Sequence, residues 1–468
     1  MAAAKPVTKL YGWAISPFVS RALLCLEEAG VDYDHVTMSR SAGDHRRPDH
    51  LARNPFGQVP VLEDGDLTLF VSRAIARHVF RKHKPELLGS GDLERAAMVD
   101  VWTEVEAHQF QPAAGAIVVE CVFAPLLGRA RDQRRVDENV GKLRAVLEVF
   151  EARLAGKHRY LAGGDDVSLA DLSHFRFDQT FHDNKNCRLF KLPQEASSSS
   201  SRARLRRNFL AAAAEHKSSG AEDLLALITT STGANKDMAK GEDTATVPKV
   251  YGVAASPFVA TVLVCLEEAG AAYELVPLDM AAREQRAPHH LARNPLGKIP
   301  AFEDGDLTLF ESRAIARHVL RKHRPDLLGG GDPARSATLD AWTEAEAHQF
   351  HPPASHILRQ CVILPMIGGG RDQRVVDENV SRLRAVLDVY DARLAKHRYL
   401  AGGEEASLAD LAHVGVMLML MGTEFGRVVE ERGNVKAWWD RIAARPAVRK
   451  VAALVDAEVA VLSTQSSG

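Results

Sequence analysis

The 468-residue chain has little cysteine, few aromatic residues and almost no net charge, and each scarcity excludes a class of function. Its five cysteines (Cys25, Cys121, Cys187, Cys265 and Cys361) are odd in number and form no Cys-x-x-Cys. That argues against a disulfide framework and against dithiol redox chemistry, and reads Cys25 and Cys265 as packing residues. A formal net charge of −2 provides no field to attract nucleic acid or an anionic membrane. The longest apolar run, around Val414 to Met421, is far shorter than the roughly 20 residues of a membrane span. The start, Met1-Ala-Ala-Ala-Lys5-Pro6, has no apolar signal core. Nineteen histidines include neither His-Glu-x-x-His nor a Cys/His metal spacing, and His78, His83, His289 and His290 read as solvated. The expectation is a cytoplasmic protein with no metal, no cofactor, no nucleic-acid partner and no membrane partner.

What the chain does have is itself, twice. Residues 51–89 and 291–329 align at a constant offset of 240, and only nine of the 39 positions differ. A period this long is a tandem array of whole proteins, because solenoid units run about 20–50 residues. Each copy therefore serves as a control for the other.

Each copy opens with a short apolar strand (Lys9–Gly12; Lys249–Gly252), followed by Ser16-Pro17 or Ser256-Pro257. Ser as cap with Pro in the first helical position starts a helix, and Gly30 and Gly270 stop it. A second strand, a basic loop, a short helix, a hairpin on Glu63-Asp-Gly-Asp66 and a helix from Ser72 complete a βαβαββα unit. Beyond Gly89 and Gly329 the spacing predicts long helices over 102–127, 136–154, 342–367 and 376–394. Ser168-Leu-Ala-Asp171 and Ser407-Leu-Ala-Asp410 are capping boxes. In the second copy a core helix at Val414–Met421 and further helices around Trp438-Trp439 and Arg445-Pro446 follow. In the first copy the chain after His174 cannot fill the same position and passes into Ser197–Ser201 and an Arg-rich piece (Arg202, Arg204, Arg206, Arg207). That piece reads as a solvated linker. Met238 sits where an independent start codon would, which suggests two neighbouring genes joined.

Taken in order, Tyr-Gly-x-x-x-Ser-Pro, Asn-Pro-x-Gly-x-x-Pro, Glu-Asp-Gly-Asp-x-x-Leu-Phe-x-Ser-Arg-Ala-Ile, Ser-Leu-Ala-Asp and Lys-Ala-Trp-Trp resemble the plant phi-class glutathione transferases. The resemblance covers about 5–174 and nearly all of 247–460. It implies a thioredoxin-like α/β domain followed by an all-α domain, duplicated in tandem. The corresponding boundaries are 5–89, 90–175 (incomplete), a linker at 176–246 that is expected to be disordered, 247–329 and 330–462.

The residues admit the same chemistry. A free thiol is mostly protonated at neutral pH, and a hydroxyl donating from a helix N-terminus stabilises the thiolate by hydrogen bond and by dipole. By spacing alone Ser16 and Ser256 are either such donors or plain N-caps; the resemblance implies donors. It also implies that Pro60 and Pro300 turn the backbone of Val59 and Ile299 toward the cysteinyl main chain of glutathione. Ser72 and Ser312 would hold the γ-glutamyl carboxylate and Glu311 its ammonium, a role Val71 cannot fill. The glycyl carboxylate would meet His45, Arg46 and Gln58 in the first copy, and Gln285, Arg286 and Lys298 in the second. Thr261 replaces Arg21 on the first helix. The electrophile pocket is expected at Ala254, Ala255, Phe258, Phe350, Ile357 and Leu358. Phe56 would be the aromatic these dimers insert into a partner, with Leu296 a blunter replacement. The implied function is conjugation of glutathione, as co-substrate, to hydrophobic electrophiles for detoxification, with the second copy the competent one. A non-catalytic carrier and a glutathione-dependent peroxidase stay open, as do a homodimer and an intrachain pseudo-dimer.

Overall fold

The computed structural model describes residues 8–13, 16–155, 158–174 and 247–465. The Arg-rich linker and Met238 lie outside the described residues.

The first copy opens with β1 (Thr8–Gly12), α1 (Pro17–Ala29), β2 (Tyr33–Thr37), α2 (Pro48–Arg53), β3 (Val61–Asp64), β4 (Leu67–Phe70) and α3 (Ser72–His83). The sheet order is β2-β1-β3-β4, with β1 parallel to β2 and antiparallel to β3. In β1, buried Leu10 alternates with exposed Lys9, so one face looks into the core. Gly65 at φ 63 turns the β3–β4 hairpin, in which Asp64 faces Leu67. α1 stops at Gly30, which is left-handed at φ 63 and returns its amide to Glu27 and Leu26. The second copy repeats this with β5 (Lys249–Tyr251), α9 (Pro257–Ala269), β6 (Glu274–Val276), α10 (Pro288–Leu291), β7 (Ala301–Asp304), β8 (Leu307–Phe310) and α11 (Ser312–His323), in sheet order β6-β5-β7-β8.

The helical domain of the first copy holds α4 (Leu93–Val105), α5 (Gln111–Val118), α6 (Ala124–Leu126), α7 (Gln133–Ala155) and α8 (Leu169–Leu172). The second has α12 (Pro333–Ala345), α13 (His351–Leu358), α14 (Leu364–Met366), α15 (Gln373–Leu394), α16 (Leu408–Leu411), α17 (Val414–Met421), α18 (Gly426–Glu430), α19 (Gly433–Ala443) and α20 (Pro446–Gln465). The expected 102–127 and 342–367 helices are interrupted by wide π turns at Glu106–Phe110, Val119–Phe123, Glu346–Phe350 and Arg359–Ile363. Each ends two positions before a proline (Pro112, Pro125, Pro352, Pro365), whose missing N–H and bulky ring a wider turn accommodates.

α17 is the core helix expected from its apolar run, and its glycine has a specific job. A Cβ at Gly415 would sit 1.8 Å from the Pro257 carbonyl, so only glycine lets α17 lie against the first residue of α9. The capping-box Asp410 is fully buried and accepts from Ser407, the Leu400 amide and Trp438 Nε1, which locks α19 to α16.

The two copies pack through reciprocal contacts. α3 lies against α12 as α11 lies against α4. Asp100 accepts from Arg77 Nη1 at 2.5 Å and Arg321 Nη2 at 2.6 Å; Asp340 accepts from Arg317 Nη1 at 2.6 Å and Arg81 Nη2 at 2.7 Å. Each carboxylate thus ties one guanidinium from each copy, the reciprocity of a two-fold interface. Phe56 meets Phe70 and, across the junction, Trp342 with ring centroids 6.2 Å apart.

Candidate active site

Ser16 and Ser256 occupy the N-cap positions of α1 and α9, each with extended backbone, Pro at the first helical position and no side-chain capping bond. The hydroxyls therefore stand at the positive end of a helix without serving the backbone there. Ser16 is buried; Ser256 is half-buried. The Val59–Pro60 and Ile299–Pro300 peptide bonds are both cis.

In the first copy a cleft of about 440 Å³ is lined by Ser16, His45, Gln58, Val59, Val71 and Ser72, with Trp13, Phe18 and Phe123 as its apolar wall. His348 and Gln349 of the second copy complete it. Of the expected ligands, Arg46 and Pro60 are not on this lining; Arg46 lies against Gly57 instead, within 3.1 Å of where a Cβ would stand. Burial, aided by Arg46 and Arg40, holds the His45 imidazole below its usual range. At neutral pH it is an N–H donor rather than a cation.

The second copy places Arg286 across Gly297 and Lys298 beside Glu311, both joined through Gln109 of the first copy. Gln109 Oε1 accepts from Lys298 Nζ at 2.7 Å, and its Nε2 donates to Glu311 at 3.3 Å. Burial pushes the Glu311 carboxyl up while Lys298 pulls it down. Glu311 and Val71 both sit at φ 67, immediately before Ser312 and Ser72, so the side chains leave the backbone alike and only their chemistry differs. Ser312 is buried, Ile299 is partly buried and Gln285 is half-buried. A residue without a sequence signal, Glu458 of α20, accepts the Ala255 amide at 2.7 Å, one position before Ser256.

Two expectations change. Phe350, Ile357, Leu358 and Ala254 are 0, 0, 3 and 3% exposed and belong to the hydrophobic core. Phe350 stacks on Tyr390 and meets His413 at a tilt, because its stripe of the helix faces the domain interior. Ala255 is half-buried and Phe258 is exposed. His290 and His78 are buried, not solvated, whereas His289 and His83 are exposed. His290 Nε2 and Asn294 Nδ2 both reach the Lys298 carbonyl at 2.8 Å, as His50 and Asn54 reach that of Gln58 at 2.9 and 2.8 Å. They hold the backbone immediately before Ile299 and Val59.

Arg21 marks the sharpest difference between the copies. It is buried and donates to Ser72 Oγ at 2.9 Å, to Glu106 Oε1 at 2.6 Å and to the Ser173 carbonyl at 3.0 Å. Burial works to raise the Glu106 carboxyl, but Arg21 and Arg73 together hold it below its ordinary range. In the second copy Thr261 only returns its hydroxyl to the Pro257 carbonyl, leaving Glu346 with Arg313. Burial then pushes Glu346 up to about 7. The folded state holds this proton more tightly than the unfolded chain, so Glu346 costs stability as pH rises from 4.5 to 7, in all roughly 3 kcal/mol. Glu346→Gln is expected to remove that loss, so chemical denaturation of variant and wild type should converge near pH 4 and diverge by pH 8, the variant being the more stable.

Among the described residues Cys25, Cys121, Cys265 and Cys361 are unpaired, no group of three His, Cys, Asp or Glu could hold a metal, and no helix is long and apolar enough to cross a membrane.

With this geometry in place, comparison with known proteins is specific. The glutathione S-transferase N-terminal domain profile matches residues 6–81 and 246–321, and the C-terminal domain profile matches 110–182 and 350–446. Glutathione S-transferase 4 of Zea mays is 77% identical over 172 residues, 37% of this chain and 76% of that protein. Glutathione S-transferase 1 of Zea mays is 49% identical over 207 residues, 44% of this chain and 96% of that protein. The solved structure of glutathione S-transferase I from mais in complex with an atrazine glutathione conjugate is 48% identical, with a TM-score of 0.44, over 45% of this chain and 99% of that one. Two N-terminal and two C-terminal matches in alternation, the first C-terminal one the shorter, mean that the chain belongs to the glutathione S-transferase family, resembles its plant phi class, and carries that protein in two tandem copies, the first truncated.

Proposed function

We propose that the chain conjugates reduced glutathione to hydrophobic electrophiles, with Ser256 and Ser16 donating to the glutathione thiolate. The observation that carries this reading is a serine hydroxyl at the N-terminus of a helix that it does not itself cap. In the second copy, on this reading, Arg286 and Lys298 are assigned to the glycyl carboxylate, Ile299 and Pro300 to the cysteinyl backbone, Ser312 to the γ-glutamyl carboxylate and Glu311 to the ammonium. In the first copy His45, Gln58, Val59 and Ser72 take the corresponding places, with Arg46 and Pro60 behind them. Without Glu at position 71 that copy loses a charged hydrogen bond worth about 1.5–3 kcal/mol, so it binds glutathione the more weakly.

The electrophile is assigned in the first copy to the side of the cleft lined by Phe18 and Phe123, and in the second to the surface carrying their counterparts Phe258 and Ile363, which are 38 and 42% exposed. Gln109 and His348-Gln349 cross the junction into the opposite copy's site, which supports an intrachain pseudo-dimer as the working unit. Free cysteines and a thiol co-substrate suit the cytoplasm, and the chemistry asks for no cofactor beyond glutathione. Detoxification is the physiological role that this substrate class supports.

Retention on immobilised glutathione followed by turnover of a chromogenic hydrophobic electrophile tests the proposal. Both are expected. Retention without turnover would make the protein a carrier, and absence of retention would remove the proposal altogether.

A further inference from the structure

Away from both glutathione sites, a cleft of about 510 Å³ opens where the copies meet, lined by Arg77 and Arg81 of α3 and Arg317 and Arg321 of α11. Arg77 and Arg317 are nearly fully buried, while Arg81 and Arg321 have side chains 30 and 32% exposed. The floor and the mouth of the cleft are therefore both guanidinium.

The carboxylates nearby are already engaged. Asp100 and Asp340 each accept two of these four arginines. Asp92, the other acid on the lining, caps its own helix by accepting the Arg95 amide at 3.0 Å. Glu104 and Glu344 also act on Arg77, but pair with His108 and His348 at 3.1 and 3.2 Å. Six guanidinium nitrogens stay buried with no acceptor: Nε and Nη2 of Arg77 and of Arg317, and Nη1 of Arg81 and of Arg321. A buried donor left unsatisfied costs about 1–3 kcal/mol, so a network that keeps six of them has unused capacity for an acceptor.

We propose that this cleft is a second ligand site, for a small multivalent phosphate anion. Guanidinium forks match phosphate oxygens in pairs, and four of them converging suit a ligand with more than one phosphoryl group. The volume lies within the range of small-molecule sites. Leu88 and Leu328, with Pro85 and Pro325, add apolar wall on either side, enough to receive a flat ring beside the phosphates.

Isothermal titration of the full chain with inorganic pyrophosphate and with adenosine diphosphate, against potassium chloride at matched ionic strength, tests this. One saturable site per chain is expected for pyrophosphate and none for chloride. Tighter binding of the nucleotide would show that the apolar walls take the base, and equal binding that the phosphates alone are read. The double variant Arg81→Met, Arg321→Met leaves Asp100 and Asp340 one guanidinium each and is expected to weaken binding at least about tenfold, the equivalent of one charged hydrogen bond, while glutathione conjugation persists. If that variant fails to fold, Arg81→Lys, Arg321→Lys keeps the charge, loses the fork and is expected to bind several-fold more weakly. No saturable heat, an equal response to chloride, or binding unchanged in whichever variant folds would each overturn the proposal.

Discussion

Asp340→Ala is expected to destabilise the full chain by about 3–5 kcal/mol, because it strands the buried Arg317 guanidinium and the partly exposed one of Arg81 at once. Asp340 is 1% exposed, and its two oxygens hold Arg317 of its own copy and Arg81 of the other. Against a typical domain stability of about 5–15 kcal/mol, such a loss is large. Asp100→Ala removes the reciprocal pair and should cost a similar amount. Urea denaturation of the two variants reads both numbers. Matching losses would reflect the two-fold reciprocity of the junction, whereas a loss below 1 kcal/mol for either would mean that its arginines are already hydrated in the cleft. Asp340→Asn keeps an acceptor and should fall between wild type and Ala.

The second large effect is catalytic. Ser256→Ala is expected to lower the conjugation rate of the full chain about ten- to a hundredfold, the worth of one hydrogen bond to a charged sulfur. The loss should appear in kcat and in a rise of the apparent thiol pKa in the pH–rate profile, with the KM for glutathione little changed, because the hydroxyl acts on the thiolate more than on binding. Ser16→Ala should remove only the small share contributed by a site with Val at position 71. A Ser256→Ala protein that keeps most of its turnover while Ser16→Ala loses it would reverse the assignment of the competent copy.

The βαβαββα units were legible because their signals are local: a proline behind a serine, a glycine after a helix, an Asp-Gly turn. The duplication sharpened this, since Val71 and Glu311 could be compared at one offset. The apolar wall of the cleft was legible only in part, at Phe258, the counterpart of Phe18. An apolar stripe on a helix looks the same whether it faces core or cavity, and Phe350, Ile357 and Leu358 face core while Phe123, farther along in the first copy, lines its cleft. The contributions of Gln109 and of His348-Gln349 were also hidden, because Gln349 meets Gln58 across 291 positions of chain and leaves no local pattern. The acids at the π turns, Glu106 and Glu346, carried no signal in the sequence, because their complete burial follows from how the helices pack.

Housing both halves of the junction in one chain changes what mutation can do to it. In a homodimer every substitution strikes both sides of the axis together and must be compatible with itself. Here Phe56 faces Trp342 while its counterpart is Leu296, and Arg21 answers Glu106 while Thr261 leaves Glu346 to Arg313, with the His351 imidazole 3.7 Å away. Each half can drift so long as the other accommodates it, and dilution cannot separate the pair as it would two free subunits. Either half is thereby free to change without imposing the same change on its sibling.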